Sequence, residues 1–306
     1  MPRTQEHYDV NGRTVFITGA ARGIGAATAE RLYGKGANVA LVGLEPELLE
    51  QNAARLGDRA AVFPADVTDL AALEDAVAGA VARFGGIDVA IANAGLSFTG
   101  SLATAPVEQV ERTMAVNYLG VWRTDRAVIA QITERRGYLL NISSLSTIGN
   151  APLMGPYAST KAAVEVLTNI LRMETAPTGA RVGCAYFGFI DTDLVRASFA
   201  LPSAQLLTGG SPAFLSRPAP LSKAIDAIEL GVERRSARVW APRWIGPMLI
   251  ARGLLQPLIE RSVGKDPARL NEALRLAESS EETGGMDPEL GVAARAVDQP
   301  ALTPRG

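Results

Sequence analysis

Short apolar runs alternate with longer amphipathic stretches along most of the chain. Each run has the length of a buried strand, and each stretch has the period of a helix. Strands joined through such helices need crossover connections, so the pattern predicts a doubly wound α/β fold, a parallel sheet with helices on both faces. The predicted strands are 14–20, 37–43, 59–67, 87–95, 136–144 and 180–188, and the predicted helices are 25–36, 46–57, 70–85, 106–133 and 157–176.

The pattern changes near residue 190. From about 191 to 222 the periodicity weakens and prolines and glycines interrupt the chain, which is typical of a lid or binding segment without clear secondary structure. A helix at 221–235 and a strand at 237–242 follow. We therefore expect a single domain over 1–242 that includes a lid at about 193–220, then a C-terminal helical extension over 243–277 and a flexible polar tail over 278–306.

The composition excludes several classes of function. The 30 basic and 32 acidic residues give a net charge of −2, so nothing favours nucleic acid as a partner. Cys184 is the only cysteine and His7 the only histidine, which leaves no disulfide, no catalytic triad based on histidine and no expected metal site. Proton transfer in an enzyme of this composition must use Tyr, Lys, Asp or Glu.

No targeting or membrane-spanning segment is expected. The first residues do not combine a charged start with an apolar segment, and no run reaches the ~18–20 apolar residues of a transmembrane helix. The sequence therefore predicts a cytoplasmic protein.

A glycine-rich turn follows the first predicted strand and opens the first predicted helix. Glycines allow the backbone to approach a pyrophosphate closely, and the N-terminus of a helix supplies N–H donors and a favourable dipole. This placement, more than the glycines themselves, predicts a Rossmann-like dinucleotide site. The turn is Thr18-Gly19-Ala20-Ala21-Arg22-Gly23-Ile24-Gly25.

Tyr157 and Lys161 form a second candidate constellation. Residues four apart on a helix lie on the same face. A free phenol has a pKa of about 10 and is a poor acid or base at neutral pH. A nearby ammonium, together with an oxidised nicotinamide ring, favours the phenolate, so we expect Lys161 and the bound cofactor to lower the pKa of Tyr157.

Ser144 stands thirteen residues before Tyr157, at the end of a predicted strand. With it, the ordered set of motifs closely resembles the short-chain dehydrogenase/reductase family, from about residue 10 to about 195. The motifs are TGxxxGIG at 18–25, Asp66-Val67, Asn93-Ala94-Gly95, Asn117, Ser144 and YxxxK at 157–161. Taken singly, Asn117 could be a packing residue, Ser144 a strand terminator and Asp66 a helix cap, but the ordered set disfavours those readings.

The resemblance implies four catalytic residues. Tyr157 would be the general acid/base for the substrate oxygen. Lys161 would lower the tyrosine pKa and hold the nicotinamide ribose. Ser144 would stabilise charge on the substrate oxygen, and Asn117 would anchor a water that links Lys161 to solvent.

The resemblance also implies a set of residues that bind NAD or NADP. Asp66 would meet the adenine amino group, with Val67 beside the ring, and Thr192 would reach the nicotinamide carboxamide. Asn93, Ala94 and Gly95 would support the cofactor-facing end of the fourth strand. The glycine-rich turn, with Gly19, Arg22, Gly23, Ile24 and Gly25, would hold the pyrophosphate.

The sequence does not carry the family's usual signature for either cofactor. Members that use NAD usually have Asp at the position of Gly43, and members that use NADP often have Arg at the position of Leu44. Arg22 could pair with a 2′-phosphate. Glu45 could accept ribose hydroxyls and would repel a 2′-phosphate, which favours NAD.

Two further features depart from the family pattern. Phe187 stands where members usually have proline, directly before Gly188. The usual glycine-rich strand that builds a tetramer is absent, and in its place lies the apolar stretch 243–263, broken by Pro247 and Pro257. That stretch could pack against another subunit, cover the substrate site or touch a membrane surface through arginines beside it. We favour burial in a homodimer or against the domain over membrane contact.

The sequence thus predicts an NAD(P)-dependent oxidoreductase that interconverts an alcohol and a ketone or aldehyde. A fairly apolar small substrate is expected, because the lid is rich in large apolar residues. The alternative is a sensor or scaffold that binds NAD(P) without turnover, for which the catalytic set would be unnecessary. The apolar lid residues are Leu194, Val195, Phe199, Leu201, Leu206, Leu207, Phe214 and Leu215.

Overall fold

Seven parallel strands form the centre of the molecule, in the order β3-β2-β1-β4-β5-β6-β7. The computed structural model describes residues 7–209 and 217–278, together with the backbone of a short antiparallel pair at 286–287 and 292–293. The strands are β1 (Thr14–Thr18), β2 (Asn38–Gly43), β3 (Ala60–Pro64), β4 (Val89–Ala92), β5 (Tyr138–Ile142), β6 (Arg181–Phe187) and β7 (Arg238–Ala241).

Helices cover both faces of this sheet. Most of them connect one strand to the next, as a parallel sheet requires. They are α1 (Gly23–Gly34), α2 (Pro46–Leu56), α3 (Leu70–Phe84), α4 (Val107–Met114), α5 (Gly120–Glu134), α6 (Gly155–Thr175), α7 (Asp193–Ala200), α8 (Pro202–Thr208), α9 (Leu221–Arg234), α10 (Ile245–Val263) and α11 (Pro267–Ala277).

Successive residues of each strand face opposite sides of the sheet, so the core has two layers. In β1, Val15 and Ile17 belong to the cluster under α1, α2 and α9. Phe16 belongs to the cluster under α3 and α5. In β1, β2, β4, β5 and β6 both faces are buried, so these strands are continuous apolar runs that could be located from the sequence.

The strand order reverses between β1 and β4, the neighbouring strands from which the chain winds in opposite directions. In a doubly wound sheet, a crevice opens at the carboxyl ends of the strands at this point. The predicted fold class is therefore confirmed, and the glycine-rich turn after β1 lies beside the crevice.

The stretch predicted as one helix at 106–133 contains a wider turn. A π-helical segment, Ala115–Leu119, separates α4 from α5. Such single turns insert a residue into an otherwise α-helical ladder and often lie at functional sites. Asn117 lies in this turn.

The expectation of a lid without secondary structure at 193–220 was wrong for its first half. Residues 193–208 form α7 and α8, each begun by a local signal: the Thr192 side chain caps α7, and Pro202 opens α8. The bridge between Ile190 and Ala219 brings the two ends of the segment together. Residues 210–216 of the predicted lid lie outside the described residues.

The expectation that prolines break the stretch 243–263 was also wrong. Pro247 lies in the first turn of α10, where a missing N–H leaves no helical hydrogen bond unmade. Pro257 lies inside the helix, and the residue four before it, Gly253, is exposed, so its carbonyl is open to water. A second helix, α11, completes the extension; the predicted tail lies outside the described residues from 279 onward, apart from the short strand pair.

None of the helices in the described residues is both long and apolar enough to cross a membrane. Cys184 lies in β6 without solvent exposure, in a cluster with Ile148, Tyr186 and Ile245.

Candidate active site

A cleft of about 1450 Å³ opens at the carboxyl ends of the strands. It brings together most of the residues predicted from the sequence to bind the cofactor or substrate. Gly25 and Asn117 lie behind its surface and do not line it. The predicted residues that line the cleft are Gly19, Arg22, Gly23, Ile24, Glu45, Asp66, Val67, Asn93, Ala94, Gly95, Ser144, Tyr157, Lys161 and Thr192.

The glycine-rich turn is shaped by positions at which a side chain would collide with the backbone. Gly19 and Gly23 have φ values of +64° and +56°, in the region that glycine adopts without strain. A Cβ atom on Gly25 would lie 2.1 Å from the carbonyl oxygen of Gly19. The close approach of α1 to the turn therefore requires a glycine at position 25.

Asn93 fastens this turn to the end of β4. Its Nδ2 donates to the carbonyl oxygens of Thr18 and Gly19, at 3.0 and 3.1 Å. In return, the Thr18 hydroxyl accepts the backbone N–H groups of Asn93 and Ala94, at 3.1 and 3.3 Å. The resemblance implied that Asn93 supports this end of β4, but the hydrogen bonds to Thr18 were not predicted.

Arg22 and Glu45 form an ion pair at the mouth of the cleft. Arg22 also donates through Nε to Glu45 at 3.3 Å. The Glu45 carboxylate is therefore partly neutralised, which weakens the sequence argument that it repels a 2′-phosphate. Both side chains are substantially exposed, so the pair can separate at little cost in free energy.

Asp66 and Val67 lie where the third strand ends. The Asp66 carboxylate accepts the backbone N–H of Thr68 at 2.8 Å. The cap of α3 is a different residue, Asp69, which accepts the N–H groups of Ala71 and Ala72. Asp66 is thus not a helix cap and its carboxylate lines the cleft.

Tyr157 and Ser144 both line the cleft, and the Ser144 hydroxyl is near enough to lower the pKa of Tyr157 in part. Tyr157 lies on the first turn of α6, and Ser144 follows β5 and caps a short 3₁₀ turn, Leu145–Thr147. The Ser144 hydroxyl also accepts the N–H of Ser146 at 3.1 Å. Two hydroxyl-bearing side chains are therefore part of the cleft lining.

Lys161 is buried behind Tyr157. Its Nζ lies 5.8 Å from the centre of the tyrosine ring and donates to the carbonyl oxygen of Ile142 at 3.0 Å. Burial lowers the pKa of Lys161 to about 8. Burial also raises the pKa of Tyr157, and the neighbouring Ser144 hydroxyl only partly opposes that rise. The expected lowering of the phenol pKa depends on an oxidised nicotinamide ring as well as on Lys161, so it stays a prediction.

Asn117 is fully buried beside Lys161. Its Oδ1 accepts the N–H of Leu96 at 2.7 Å, and its Nδ2 donates to the Leu96 carbonyl at 2.9 Å and to Thr160 at 3.2 Å. A Cβ atom on Gly95 would lie 3.2 Å from Asn117 Oδ1 and 3.4 Å from Lys161 Nζ. Asn117 thus ties the segment after β4 to α6, the helix that carries Tyr157.

Thr192 links the lid to the cofactor end of the cleft. Its hydroxyl caps α7, accepting the N–H of Val195 at 3.4 Å, and its methyl group would lie 3.8 Å from a Cβ atom on Gly23. Phe187, which replaces the family's proline, is buried and ends β6. Two residues later, Phe189 packs edge-on against Phe199 of α7, with ring centres 4.7 Å apart.

Several cleft residues were not predicted from the sequence. They come from the loops after β4 and β5 and from the first part of the lid. Their position at strand ends was the available signal, but without the fold nothing showed which loop residues face inward. They include Leu96, Ser97, Leu145, Leu153, Met154 and Phe189.

The short chain dehydrogenase family model matches residues 13–201 of the chain. The chain belongs to this family. As a short-chain dehydrogenase/reductase, the protein is an NAD(P)-dependent oxidoreductase, and the match ends at the residue before α8.

Curated relatives share the same part of the chain. The 2,3-dihydro-2,3-dihydroxybenzoate dehydrogenase of Bacillus subtilis (strain 168) is 35% identical over 189 residues, which are 60% of this chain and 72% of the relative. The 2-(R)-hydroxypropyl-CoM dehydrogenase of Xanthobacter autotrophicus is 34% identical over 192 residues, 60% and 77% of the two chains.

Solved structures give the same result for the fold. Levodione reductase superposes with a TM-score of 0.68 at 26% identity, covering 76% of this chain and 96% of its own. A 3-ketoacyl-(acyl-carrier-protein) reductase from Brucella melitensis, complexed with NADH, has a TM-score of 0.66 at 25% identity, with 76% and 97% covered.

Proposed function

We propose that this dehydrogenase interconverts a secondary alcohol and a ketone, or an alcohol and an aldehyde, on a fairly apolar small molecule. One observation carries the proposal: Ser144 and Tyr157, which both bear a hydroxyl group, line the same cleft as the glycine-rich turn. A site that only binds a nucleotide does not require this pair.

The cofactor-binding residues fit a dinucleotide. The turn at 19–25 leaves no room for a Cβ atom at Gly25, and Gly23 and Ile24 at the start of α1 line the cleft, where the free N–H groups of a helix N-terminus would suit a pyrophosphate. Asp66 and Val67 would hold the adenine, and Lys161, Tyr157 and Thr192 would hold the nicotinamide end. When bound, the nicotinamide ring supplies or accepts a hydride.

The proton is handled by the protein's own groups. In reduction, the Tyr157 hydroxyl donates its proton to the substrate oxygen, and in oxidation the phenolate accepts it. The Ser144 hydroxyl donates a hydrogen bond to the same oxygen and stabilises the charge that develops there. Lys161, with Asn117 behind it, positions the helix face that carries Tyr157 and contributes positive charge below its pKa of about 8.

NAD is the favoured cofactor in this proposal. Glu45 lines the cleft and would accept ribose hydroxyls, and its carboxylate would oppose a 2′-phosphate. The ion pair with Arg22 reduces this preference without reversing it.

The preference for an apolar substrate rests on the wall of the cleft opposite the cofactor end. Large apolar side chains line it from the loops after β4, β5 and β6 and from α7 and α8. The Ile190–Ala219 bridge joins the two ends of the segment that carries α7 and α8. A wall of this kind favours binding by burial of apolar surface over polar recognition. The lining side chains include Leu96, Leu153, Phe189, Leu194, Phe199 and Leu207.

We also propose that the protein is a homodimer. Apolar side chains are exposed on the outer face of α6, at Val166, Ile170 and Met173, and on α10, at Ile250 and Leu254. Ion pairing of Arg252 with Glu165 holds these two helices side by side. Together they form an apolar surface larger than scattered single residues would give.

The proposed reaction is tested by titrating the purified protein with NADH and, separately, NADPH, following nicotinamide fluorescence and melting temperature. At about 100 times its dissociation constant, the bound form stabilises the fold by about 2.7 kcal/mol, a readily measured shift. A panel of ketones and alcohols is then assayed with that form. In Tyr157→Phe, we expect turnover to fall by about 10²- to 10⁴-fold with cofactor binding retained.

Binding without turnover of any ketone or alcohol would indicate a sensor or scaffold in place of an enzyme. Binding of neither nucleotide would overturn the assignment of the glycine-rich turn. Turnover of small polar polyols alone would contradict the apolar substrate.

A further inference from the structure

The C-terminal extension packs against the far wall of the cleft, in a part of the chain beyond the family match. Helix α8 contributes Ala204, Leu207 and Thr208 to the cleft lining. The outer side of the same helix contacts α11. The position of this wall therefore depends on where α11 lies.

A small apolar cluster forms the contact. Ala273 and Ala277 of α11 are buried, and Leu153, Leu206 and Leu207 pack against them. Leu153 and Leu207 also line the cleft, so each has one side toward the substrate space and another toward α11. Because Ala273 is completely buried and small, it leaves room for both leucines to lie back from the cleft.

Arg269 of α11 binds the end of α8. Its Nε donates to the carbonyl oxygen of Leu206 at 2.7 Å, and its Nη2 donates to the same oxygen and to Leu207 O at 3.4 Å. The last carbonyls of a helix have no partner within the helix, and a cation there is favoured by the helix dipole. Arg269 therefore fixes the C-terminal turn of the wall helix.

Leu153 has a backbone conformation that needs support. Its φ is +67°, in the left-handed region that few residues other than glycine adopt. Its carbonyl accepts the N–H of Gly100 at 2.8 Å, and its side chain lies in the α11 cluster. Such conformations persist where the surrounding structure imposes them.

The other helix of the extension contacts the same loop. Gln256 of α10 accepts the backbone N–H of Asn150 at 2.9 Å, and Ile259 lies against Gly149. The loop between Ser144 and Tyr157 is thus held by both helices of the extension.

We infer that α11 sets the size of the substrate end of the cleft, with Ala273 as a specificity-determining position behind the lining and Arg269 as a positioning residue for α8. The inference rests on the proposed function, because size selection is read out through the reduction of ketones. A larger side chain at 273 would push Leu153 and Leu207 into the cleft and exclude long substrates before short ones.

The test compares Ala273→Leu with Ala268→Leu, the same substitution at an exposed position of the same helix. Both variants are assayed with NADH or NADPH, whichever the protein binds, and the methyl ketones from 2-butanone to 2-undecanone. For Ala273→Leu we expect the KM for 2-undecanone to rise at least about tenfold and that for 2-butanone less than about twofold. Ala268→Leu should match the unsubstituted enzyme throughout. A folded Ala273→Leu variant with equal changes for all chain lengths, or with none, overturns the inference.

Arg269→Met and Arg269→Lys provide a second comparison that does not overpack the protein. Methionine keeps an unbranched side chain but removes the donors to Leu206, whereas lysine can restore one of them. We expect Arg269→Met to raise the KM for the long ketones by about threefold or more with kcat nearly unchanged, and Arg269→Lys to recover part of the loss. Equal KM values for Arg269→Met and Arg269→Lys would contradict the positioning role of Arg269.

Hydrogen exchange separates this inference from the proposed function. In Arg269→Met, the backbone amides of residues 202–208 and 150–155 should exchange faster, while those of α3 remain unchanged. If the protein binds NADH but reduces none of the ketones, the proposed reaction fails for that substrate class. If the amides of residues 202–208 and 150–155 then exchange at unchanged rates, the role of α11 is overturned as well. If they exchange faster, the attachment of this wall of the cleft to α11 is upheld.

Discussion

At the scale of single residues, Gly25 and Gly34 show that two glycines of one helix can have opposite significance. A Cβ atom on Gly25 would lie 2.1 Å from the Gly19 carbonyl oxygen, whereas one on Gly34 would have nothing within 4 Å. Both lie on α1. The backbone of the turn thus requires glycine at position 25 and merely allows it at position 34.

We predict that Gly25→Ala weakens NADH binding at least about tenfold, because the turn must open and its N–H groups lose their alignment toward the pyrophosphate. Gly34→Ala should leave binding unchanged and keep or slightly raise the melting temperature, since alanine is the better helix former. Fluorescence titration with NADH and thermal melting of both variants check this. Equal NADH affinities for the two variants would contradict the assigned role of Gly25.

The residues that could be predicted from the sequence are those defined by local spacing. Gly19, Gly23 and Gly25 stand in one turn, and Tyr157 and Lys161 stand four apart on one helix face. The pKa of Tyr157 could not be predicted in this way, because burial, which raises it, depends on the surrounding fold. Leu153 escaped notice for the same reason, since its contacts come from distant parts of the chain.

At the scale of elements, a buried polar group joins α5, β5 and α6. Asn141 Nδ2 donates to Asp125 at 2.8 Å and to Thr168 at 3.1 Å. Asp125 Oδ1 and Asn141 Oδ1 are buried without a partner. Burial raises the pKa of Asp125 to about 8, and a protonated carboxyl can supply a donor that an ionised one lacks.

We predict that the unsubstituted protein loses stability as the pH rises from about 4 to about 8. The Asp125→Asn variant should not show this loss. An unfolded Asp titrates near pH 3.9, so over this range the folded state binds more protons, and the free energy of unfolding falls by up to about 1.4 kcal/mol per pH unit. The amide of the variant does not titrate. Its unfolding free energy should therefore rise relative to that of the unsubstituted protein between pH 5 and pH 8.

Denaturant unfolding at the two pH values measures this difference. The lowered pKa of Lys161, about 8, adds stability as the pH rises above 8, but it does so in both proteins and cancels. Asp75→Asn, at an exposed position, is the control. An identical pH dependence for Asp125→Asn and the unsubstituted protein would show that Asp125 is ionised in the fold.

Helices and strands with one dominant hydrophobic pattern were predicted well. Those whose form depends on contacts with distant parts of the chain were not. All seven strands of the parallel sheet were located, and in β1, β2, β4, β5 and β6 burial on both faces makes the strand a continuous apolar run. Helices α7 and α8 were missed, since they are short and their apolar residues face both the cleft and α11. The π turn at 115–119 has no sequence signal of its own.

At the scale of the whole molecule, the alternation of strands and helices was enough to predict the sheet and the crevice. It was not enough to place the extension, because α10 and α11 pack on loops more than a hundred residues away in sequence. The predicted location in the cytoplasm remains a prediction.

We predict that light scattering gives a mass of about twice 32.2 kDa, because the apolar surface on α6 and α10 is covered in a dimer. Ile250 and Leu254 are 90% and 74% exposed. Replacing both with serine should therefore shift the mass toward one chain. Leu230→Ser, on exposed α9 surface, is the matched control and should leave the mass unchanged. A tetramer, or a dimer unaffected by the double substitution, would contradict this surface.

The burial of Cys184 also gives the molecule a built-in reporter. It is the only thiol in the chain, it lies in the second strand from one edge of the sheet, and burial raises its pKa to about 11. Both the lack of access and the scarcity of thiolate slow its alkylation in the folded state. The rate at which a thiol reagent labels the protein therefore counts the molecules in which the β6 region has opened, with no dye or engineered cysteine needed.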